Sequence, residues 1–170
     1  MKNELKKIFL KFFYDRKLNN LQKKTFKKTK KLNPKILILI DKNLNIKIKD
    51  LSFFNEIFSI PQENINFLWF DSSFVFDYSN HLRIDVDDIS FSGTIKNSFI
   101  DNKYDILFNL YNRNNIFLKY LSVNIKNKFS VGFLTSDTKL NDLVFNFSPN
   151  DLNSIKKEIP KYYNVINNHI

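Results

Sequence analysis

The sequence predicts an α/β fold: a three-layer sandwich with a mostly parallel sheet, flavodoxin-like or Rossmann-like, and an N-terminal amphipathic basic helix. Residues 36–40 are five consecutive branched apolar residues followed by Asp41. So uniform a strand is typical of a parallel sheet covered on both faces. Segments 104–110, 114–126 and 129–134 have the patterns of a strand, a helix and a strand with short connections, which predicts a right-handed βαβ unit.

The remaining elements follow from periodicity and from breaker residues. We expect further helices at 3–22, 47–59, 97–101 and 151–166, and strands at 35–41, 64–70, 74–76 and 143–147. Residues 89–95 are expected to form either an edge strand or a loop-to-strand turn. Pro61 ends the second helix and Pro160 breaks or kinks the last one. Gly93 is one of only two glycines, which indicates a backbone requirement such as a positive φ.

Charge divides the chain into two unequal parts. Residues 1–35 hold 12 Lys and one Arg against Glu4 and Asp15, a net +11, whereas the remainder carries −1. Six lysines fall within residues 23–31 alone. The abundance of Lys and Asn is typical of a codon-biased genome, but such a bias does not explain the asymmetry. We therefore predict a basic helical arm and linker at 1–34 and an α/β domain at 35–170.

The arm predicts a non-enzymatic protein that binds a polyanion, with RNA or a ribonucleoprotein such as the ribosome as the preferred partner. An anionic membrane surface is the rival partner, since a basic helix with Phe residues also suits lipid. A solvated terminus without a partner is the alternative to both. The apolar residues of the first helix are interpreted as core or docking residues. The candidate nucleic-acid-binding residues are Lys6, Lys7, Lys11, Lys17, Lys23, Lys24, Lys27, Lys28, Lys30 and Lys31.

A small ligand-binding domain or enzyme is the other hypothesis. Asp41 and Asp71 follow two strands, at the carboxyl ends where α/β proteins usually bind ligands. Asn112 and Asn114 follow a third strand. Two aspartates could bind Mg²⁺, but solvated loop carboxylates and helix caps are the favoured interpretation. We predict no metal site and no catalytic residues, and the balance leans against an enzyme.

Several classes of function are disfavoured. With only two glycines, neither a G-x-G-x-x-G nor a Walker A sequence exists, so no cofactor is predicted. The chain has no Cys and therefore no thiolate chemistry. Of its two histidines, His81 is expected in a polar loop. Neither a signal peptide nor an apolar run long enough to span a membrane is found, which predicts a cytoplasmic protein.

Four segments carry a resemblance to a known family. Ser-Phe-Ser-Gly-Thr-Ile at 90–95, Tyr-Asp-Ile-Leu-Phe-Asn-Leu-Tyr at 104–111, Phe-Ser-Val-Gly-Phe at 129–133 and Asp-Thr-Lys-Leu-Asn-Asp-Leu-Val-Phe at 137–145 resemble a small bacterial protein family of unknown function. The resemblance implies an α/β fold and a cytoplasmic bacterial protein, and it implies no activity. Residues 104–133 are also weakly similar to the first domain of heptosyltransferases, which we attribute to shared βαβ architecture.

Overall fold

The structure is a computed structural model that describes residues 2–21, 32–71, 78–112 and 115–167. Within these ranges the helices are α1 (Lys2–Asn19), α2 (Phe53–Phe58), α3 (Ser98–Asp101), α4 (Ile116–Asn124) and α5 (Leu152–Asn167). The strands are β1 (Ile36–Asp41), β2 (Ile65–Phe70), β3 (His81–Ile84), β4 (Lys103–Leu110), β5 (Lys126–Phe133) and β6 (Leu143–Phe145).

The six strands form one parallel sheet in the order β3-β2-β1-β4-β5-β6. The order 3-2-1-4-5-6 is that of the Rossmann type, not the 2-1-3-4-5 order of flavodoxin. The prediction of an α/β three-layer fold is confirmed. The predicted βαβ unit is also confirmed, since β4 and β5 are parallel neighbours joined by α4.

Strand β1 lies at the centre of the sheet and divides the core into two. Its isoleucines 36, 38 and 40 pack in one apolar cluster with helices α2 and α5. Its leucines 37 and 39 pack in the other cluster with α1 and α4. All six residues of β1 are buried. The uninterrupted apolar run is therefore explained, as predicted, by helices that cover both faces of the strand.

Other elements differ from the sequence-based expectation. Strand β3 was not predicted, and 89–95 forms only an isolated antiparallel bridge between Ile89 and Ile95. Gly93 lies in the turn between them at φ +80°, as its scarcity suggested. Helix α5 continues through Pro160. The strand considered at 74–76 lies outside the described residues.

Helix α1 is part of the α/β body. Leu10 and Tyr14 are buried in the cluster formed with β1 and α4, and α1 packs beside α4. Residues 2–19 therefore provide one of the helices that cover this face of the sheet. The predicted domain boundary at residue 34 would therefore separate α1 from the core that it helps to form.

The buried face of α1 is not the face that its apolar spacing predicts. The buried positions are Lys6, Leu10 and Tyr14. Four large apolar side chains instead face outward, with exposed fractions of 48% for Leu5, 66% for Ile8, 49% for Phe9 and 63% for Phe12. We call these four residues the outer stripe. The core interpretation is therefore wrong for these four residues.

Candidate interaction surfaces

Polar contacts fix the inner face of α1. The Lys6 ammonium donates a hydrogen bond of 2.5 Å to the Val86 carbonyl. The Tyr14 hydroxyl donates to Asp137 Oδ2 at 2.6 Å, and the Lys119 ammonium lies 3.7 Å from the same oxygen. Burial alone would raise the pKa of Asp137, but the Tyr14 bond, the Lys139 backbone N–H and the Lys119 charge outweigh burial and lower it. These contacts orient α1 on the body.

The lysines proposed on α1 are not equally available to a partner. Lys6 is buried and contributes no exposed charge, so we leave it out of any binding surface. Lys7 pairs with Glu4 at 2.7 Å. Lys17 donates to the side chain of Asn124, and partial burial lowers its pKa. Lys11 is exposed. The other six, Lys23, Lys24, Lys27, Lys28, Lys30 and Lys31, lie outside the described residues.

A second group of lysines lies at the amino ends of β1, β4 and β5. Lys35, Lys103, Lys126 and Lys128 line one cavity of about 320 Å³, together with Tyr104, Asp105 and Asn127. We call these four lysines the amino-edge lysine cluster. They come from three adjacent strands, because the parallel order places the starts of β1, β4 and β5 at the same edge of the sheet.

One buried carboxylate organises this edge. Asp105 Oδ2 accepts a hydrogen bond from the Lys35 backbone N–H at 2.8 Å, and Asp105 Oδ1 lies 2.9 Å from the Lys128 ammonium. The Lys35 ammonium lies over the Tyr104 ring, 5.5 Å from its centroid. Lys103 and Lys126 are register partners across β4 and β5. Two like charges are therefore held side by side on an exposed edge. Their repulsion alone would destabilise the pairing of β4 with β5.

A second cavity adjoins the amino-edge lysine cluster. This cavity of about 390 Å³ shares Lys126 and Asn127 with the first, and it is also lined by Leu21 and Lys139. Leu21 is the last described residue before segment 22–31, and Lys35 follows that segment closely. The described residues Leu21, before segment 22–31, and Lys35, after it, therefore lie at cavities of this same edge.

The carboxyl edge of the sheet holds the residues of the ligand-site hypothesis. Asp41 ends β1 and is fully buried. Asp71 follows the adjacent strand β2, is exposed, and pairs with Lys42 at 2.8 Å. Asn112 follows β4 on the other side of β1 and is partly buried. The structure thus brings Asp41, Asp71 and Asn112 to one edge, and Asn114 lies outside the described residues. No group of three or more acidic or His side chains in the described part of the chain could hold a metal ion.

Asp41 has an unusual hydrogen-bond environment. Its Oδ1 accepts from the backbone N–H of Asn43 at 3.0 Å and from the Asn43 side chain at 2.6 Å. Its Oδ2 is buried and has no hydrogen-bond partner among the described residues. A buried charged oxygen without a partner costs free energy. The carboxylate is therefore poorly explained by stability alone.

We predict that Asp41→Asn raises the free energy of unfolding by about 1 kcal/mol, because it removes a buried charge and keeps the Oδ1 acceptor. Chemical denaturation would measure the change. Asp85→Asn is the matched control, since Asp85 also caps a turn by accepting from a backbone N–H but lies at a partly exposed site beside Arg83. The control is expected to lose stability slightly. A loss above about 1 kcal/mol for Asp41→Asn would contradict the prediction and make the carboxylate a structural requirement.

His81, which was expected in a polar loop, is the first residue of β3 and is buried. The Trp69 indole N–H donates to His81 Nδ1 at 3.1 Å, and the Phe67 ring stacks on the imidazole with centroids 4.4 Å apart. Nδ1 must therefore be the unprotonated nitrogen of a neutral ring. Burial lowers the pKa of His81 to about 4. The residue is a core histidine and belongs to neither surface.

Comparison with known proteins gives a family without an activity. The chain belongs to a family of unknown function, DUF6913, whose model matches residues 6–166. The resemblance to an uncharacterised family is therefore confirmed, whereas the local similarity to heptosyltransferases is not shown. Neither the curated proteins nor the solved structures contain a match. None of the described helices is long and apolar enough to cross a membrane.

Proposed function

We propose that this member of the family is a non-enzymatic binding protein that docks on RNA or a ribonucleoprotein. The proposed binding surface is the amino-edge lysine cluster together with the lysine-rich segment 22–31. The single observation that carries the proposal is that three adjacent strands bring four lysines around one cavity. The proposal places the protein in the cytoplasm of a bacterium.

The electrostatics of the cavity favour an anionic ligand. Four ammonium groups share one lining carboxylate, Asp105, so their charge is not balanced within the cavity lining. Lys103 and Lys126 are also placed directly beside each other. A phosphate chain would relieve this repulsion and would release counterions as it binds, which is the main source of affinity for nucleic acids. The like-charge pair then has a functional reason.

The proposed surface also includes segment 22–31 for its charge. The segment carries Lys23, Lys24, Lys27, Lys28, Lys30 and Lys31, and Leu21 before it and Lys35 after it line cavities at the amino edge. With the cluster, this gives ten lysines for the proposed surface. If about six reach phosphates of a single strand, the logarithm of affinity should fall with the logarithm of salt concentration at a slope of about −4.

RNA is favoured over a membrane because the cationic surface is concave. Lysines that line cavities can surround a phosphate chain, whereas a bilayer meets the surface that protrudes furthest. A small-molecule site at the carboxyl edge is a second candidate function. The unpartnered Oδ2 of Asp41 is the observation that favours it, and the effect of Asp41→Asn on stability tests it.

The test is a titration of a short labelled single-stranded RNA, followed by fluorescence anisotropy over a series of salt concentrations. We expect the double variant Lys103→Gln/Lys126→Gln to bind roughly 10- to 30-fold more weakly near 0.1 M salt, with a salt slope about 1.4 smaller, for two lost phosphate contacts. Its stability should be unchanged or higher, because it removes a like-charge pair. Lys128 is left in place because it pairs with buried Asp105.

The matched control is Lys49→Gln/Lys157→Gln, which removes the same charge from two exposed positions outside the cluster. It should bind RNA almost as the unchanged protein does. Equal weakening by both pairs would reduce the effect to net charge and contradict the proposed surface. Flotation with anionic vesicles completes the test, and binding to vesicles that depends on Lys103 and Lys126, without RNA binding, would assign the surface to a membrane.

A further inference from the structure

The outer stripe of α1 is an exposed apolar feature that the proposed function does not use. Leu5, Ile8, Phe9 and Phe12 are spaced at i, i+3, i+4 and i+7, so they form one continuous ridge along two turns of the helix. Each is about half exposed or more. A contiguous apolar ridge of this kind on a well-packed domain indicates an interaction site.

The stripe points away from the rest of the protein. Successive residues turn by about 100° around a helix, which places the stripe on the side opposite to Leu10 and Tyr14. Those two residues bury α1 against the sheet and α4. A second molecule could therefore pack along the stripe while its α/β domain stays clear of this one.

We infer that the stripe pairs with the stripe of a second copy of this chain, with the two α1 helices antiparallel. The four positions are symmetric about the point midway between residues 8 and 9. In an antiparallel pair, Leu5 of one copy therefore lies level with Phe12 of the other, and Ile8 lies level with Phe9. Every apolar side chain meets an apolar partner, which is the self-complementarity that a two-fold dimer requires.

The charges that border the stripe agree with this arrangement. Glu4 and Lys11 lie on the same border of the stripe, and antiparallel alignment places Glu4 of one copy within about two residues, roughly 3 Å along the axis, of Lys11 of the other. The carboxyl ends of the two helices lie at opposite ends of the pair. Asn19, the last residue of α1, is about ten residues from the symmetry point, so the two ends lie roughly 30 Å apart along the axis. This is well beyond the screening length of about 8–10 Å, so the lysines that follow α1 in the sequence do not oppose the pairing.

Other occupants fit less well. Charges of both signs border the stripe, with Glu4 and Asp15 as exposed acids and Lys11 and Arg16 as exposed bases. A second copy can pair both signs, whereas an anionic membrane can pair only the bases. An RNA would leave the apolar side chains without partners. The apolar area is limited, roughly 400 Å² per copy, or half of what a standard stable interface buries. The dimer is therefore weak, with a dissociation constant of roughly 10–100 μM. It does not rest on RNA binding.

Sedimentation equilibrium of the full chain up to about 500 μM tests the inference. The unchanged protein should show a monomer–dimer equilibrium, and Ile8→Asp should weaken association at least tenfold. Ile8 is 66% exposed, so this variant is expected to fold. Leu134→Asp, at an exposed position outside α1, is the matched control and should associate normally. A monomer at every concentration, or association that Ile8→Asp leaves unchanged, would overturn the inference.

Cross-linking tests the antiparallel alignment, and it is clean because the chain has no native Cys. A mixture of Leu5→Cys and Phe12→Cys chains should form a mixed disulfide under mild oxidation, while each variant alone should cross-link poorly. Efficient cross-linking of either variant with itself would indicate a parallel pair and overturn the alignment. Anionic vesicles that bind the unchanged monomer, and not Ile8→Asp, would overturn the dimer in favour of a lipid surface.

Discussion

Deletion of residues 1–20 is expected to unfold the protein instead of releasing an intact α/β body. Helix α1 buries Leu10 and Tyr14 against the sheet and α4. Its removal would expose the leucine face of β1 to water. It would also take from Asp137 the hydrogen bond donated by Tyr14.

The expected size of this effect exceeds the usual stability of a domain. Truncation of one buried apolar side chain to Ala typically costs about 2–5 kcal/mol, and a complete domain is stable by only about 5–15 kcal/mol. Deletion of α1 removes at least two such side chains and leaves their cavity open to solvent. Far-UV circular dichroism and urea denaturation should therefore show no cooperative transition for residues 21–170.

The matched control replaces the six lysines between residues 23 and 31 with Gln and keeps α1. We expect this variant to unfold cooperatively at a urea concentration close to that of the unchanged protein, and to lose most of any RNA affinity. A truncated chain with a normal cooperative transition would show that α1 is dispensable and would contradict our account of the core. The role of the basic segment is thus better tested by charge substitution than by truncation.

Acidification is expected to destabilise the protein through His81. Burial lowers the pKa of His81 in the folded protein to about 4, below the value of about 6.5 in an unfolded chain. The unfolded state therefore binds this proton first as the pH falls. Stability contributed by the neutral ring is complete above about pH 6.5, declines between about pH 6.5 and 4, and changes no further below about pH 4.

Linkage gives the expected size of the change. By about pH 5 the loss attributable to His81 should be about 2 kcal/mol, and at most about 3 kcal/mol at lower pH. Denaturation curves from about pH 8 to about pH 5 would measure it. Fluorescence is a suitable probe because Trp69 is the only Trp in the chain and contacts the imidazole directly.

His81→Asn is the control for this titration, because an Asn side-chain oxygen can accept the Trp69 N–H where His81 Nδ1 does and does not ionise. The variant should lose much less stability over the same pH range, the remainder reflecting carboxylates such as Asp137. If the unchanged protein and the variant have parallel pH profiles, another group is responsible for the acid sensitivity.

The centre of the fold could be predicted from the sequence because its signals are local. The uninterrupted apolar run of β1 and the pattern of β4, α4 and β5 each lie within one short segment, and both were identified correctly. Strand β3 was missed because it has only four residues, includes His81 and Arg83, and pairs only with β2. Its burial depends on Trp69 and Phe67, which no local pattern reveals.

The orientation of α1 could not be predicted because its inner face depends on distant partners. Lys6 and Tyr14 look like surface residues in the sequence, yet they are buried because Val86 and Asp137 accept their hydrogen bonds. The outer stripe has the spacing of a core face, and nothing local distinguishes a core from a docking surface. Periodicity therefore located the helix correctly and left the direction of its faces open.

The amino-edge lysine cluster was hidden for a different reason. Its members lie at positions 35, 103, 126 and 128, and the net charge of the chain after residue 35 is only −1. A net charge near zero does not show where the fold places the individual charges. Lys at or near the start of three successive strands in the parallel order was the signal that could have revealed it.

The spacing of the strands limits the width of the amino-edge lysine cluster. Its lysines lie at the starts of three neighbouring strands, and neighbouring strands are about 4.8 Å apart, so the cluster is roughly 10 Å wide across the sheet. On the proposed nucleic-acid partner, the footprint of the cluster would then be short. A long polyanion would have ample room for several copies along its length, each occupying its own small stretch.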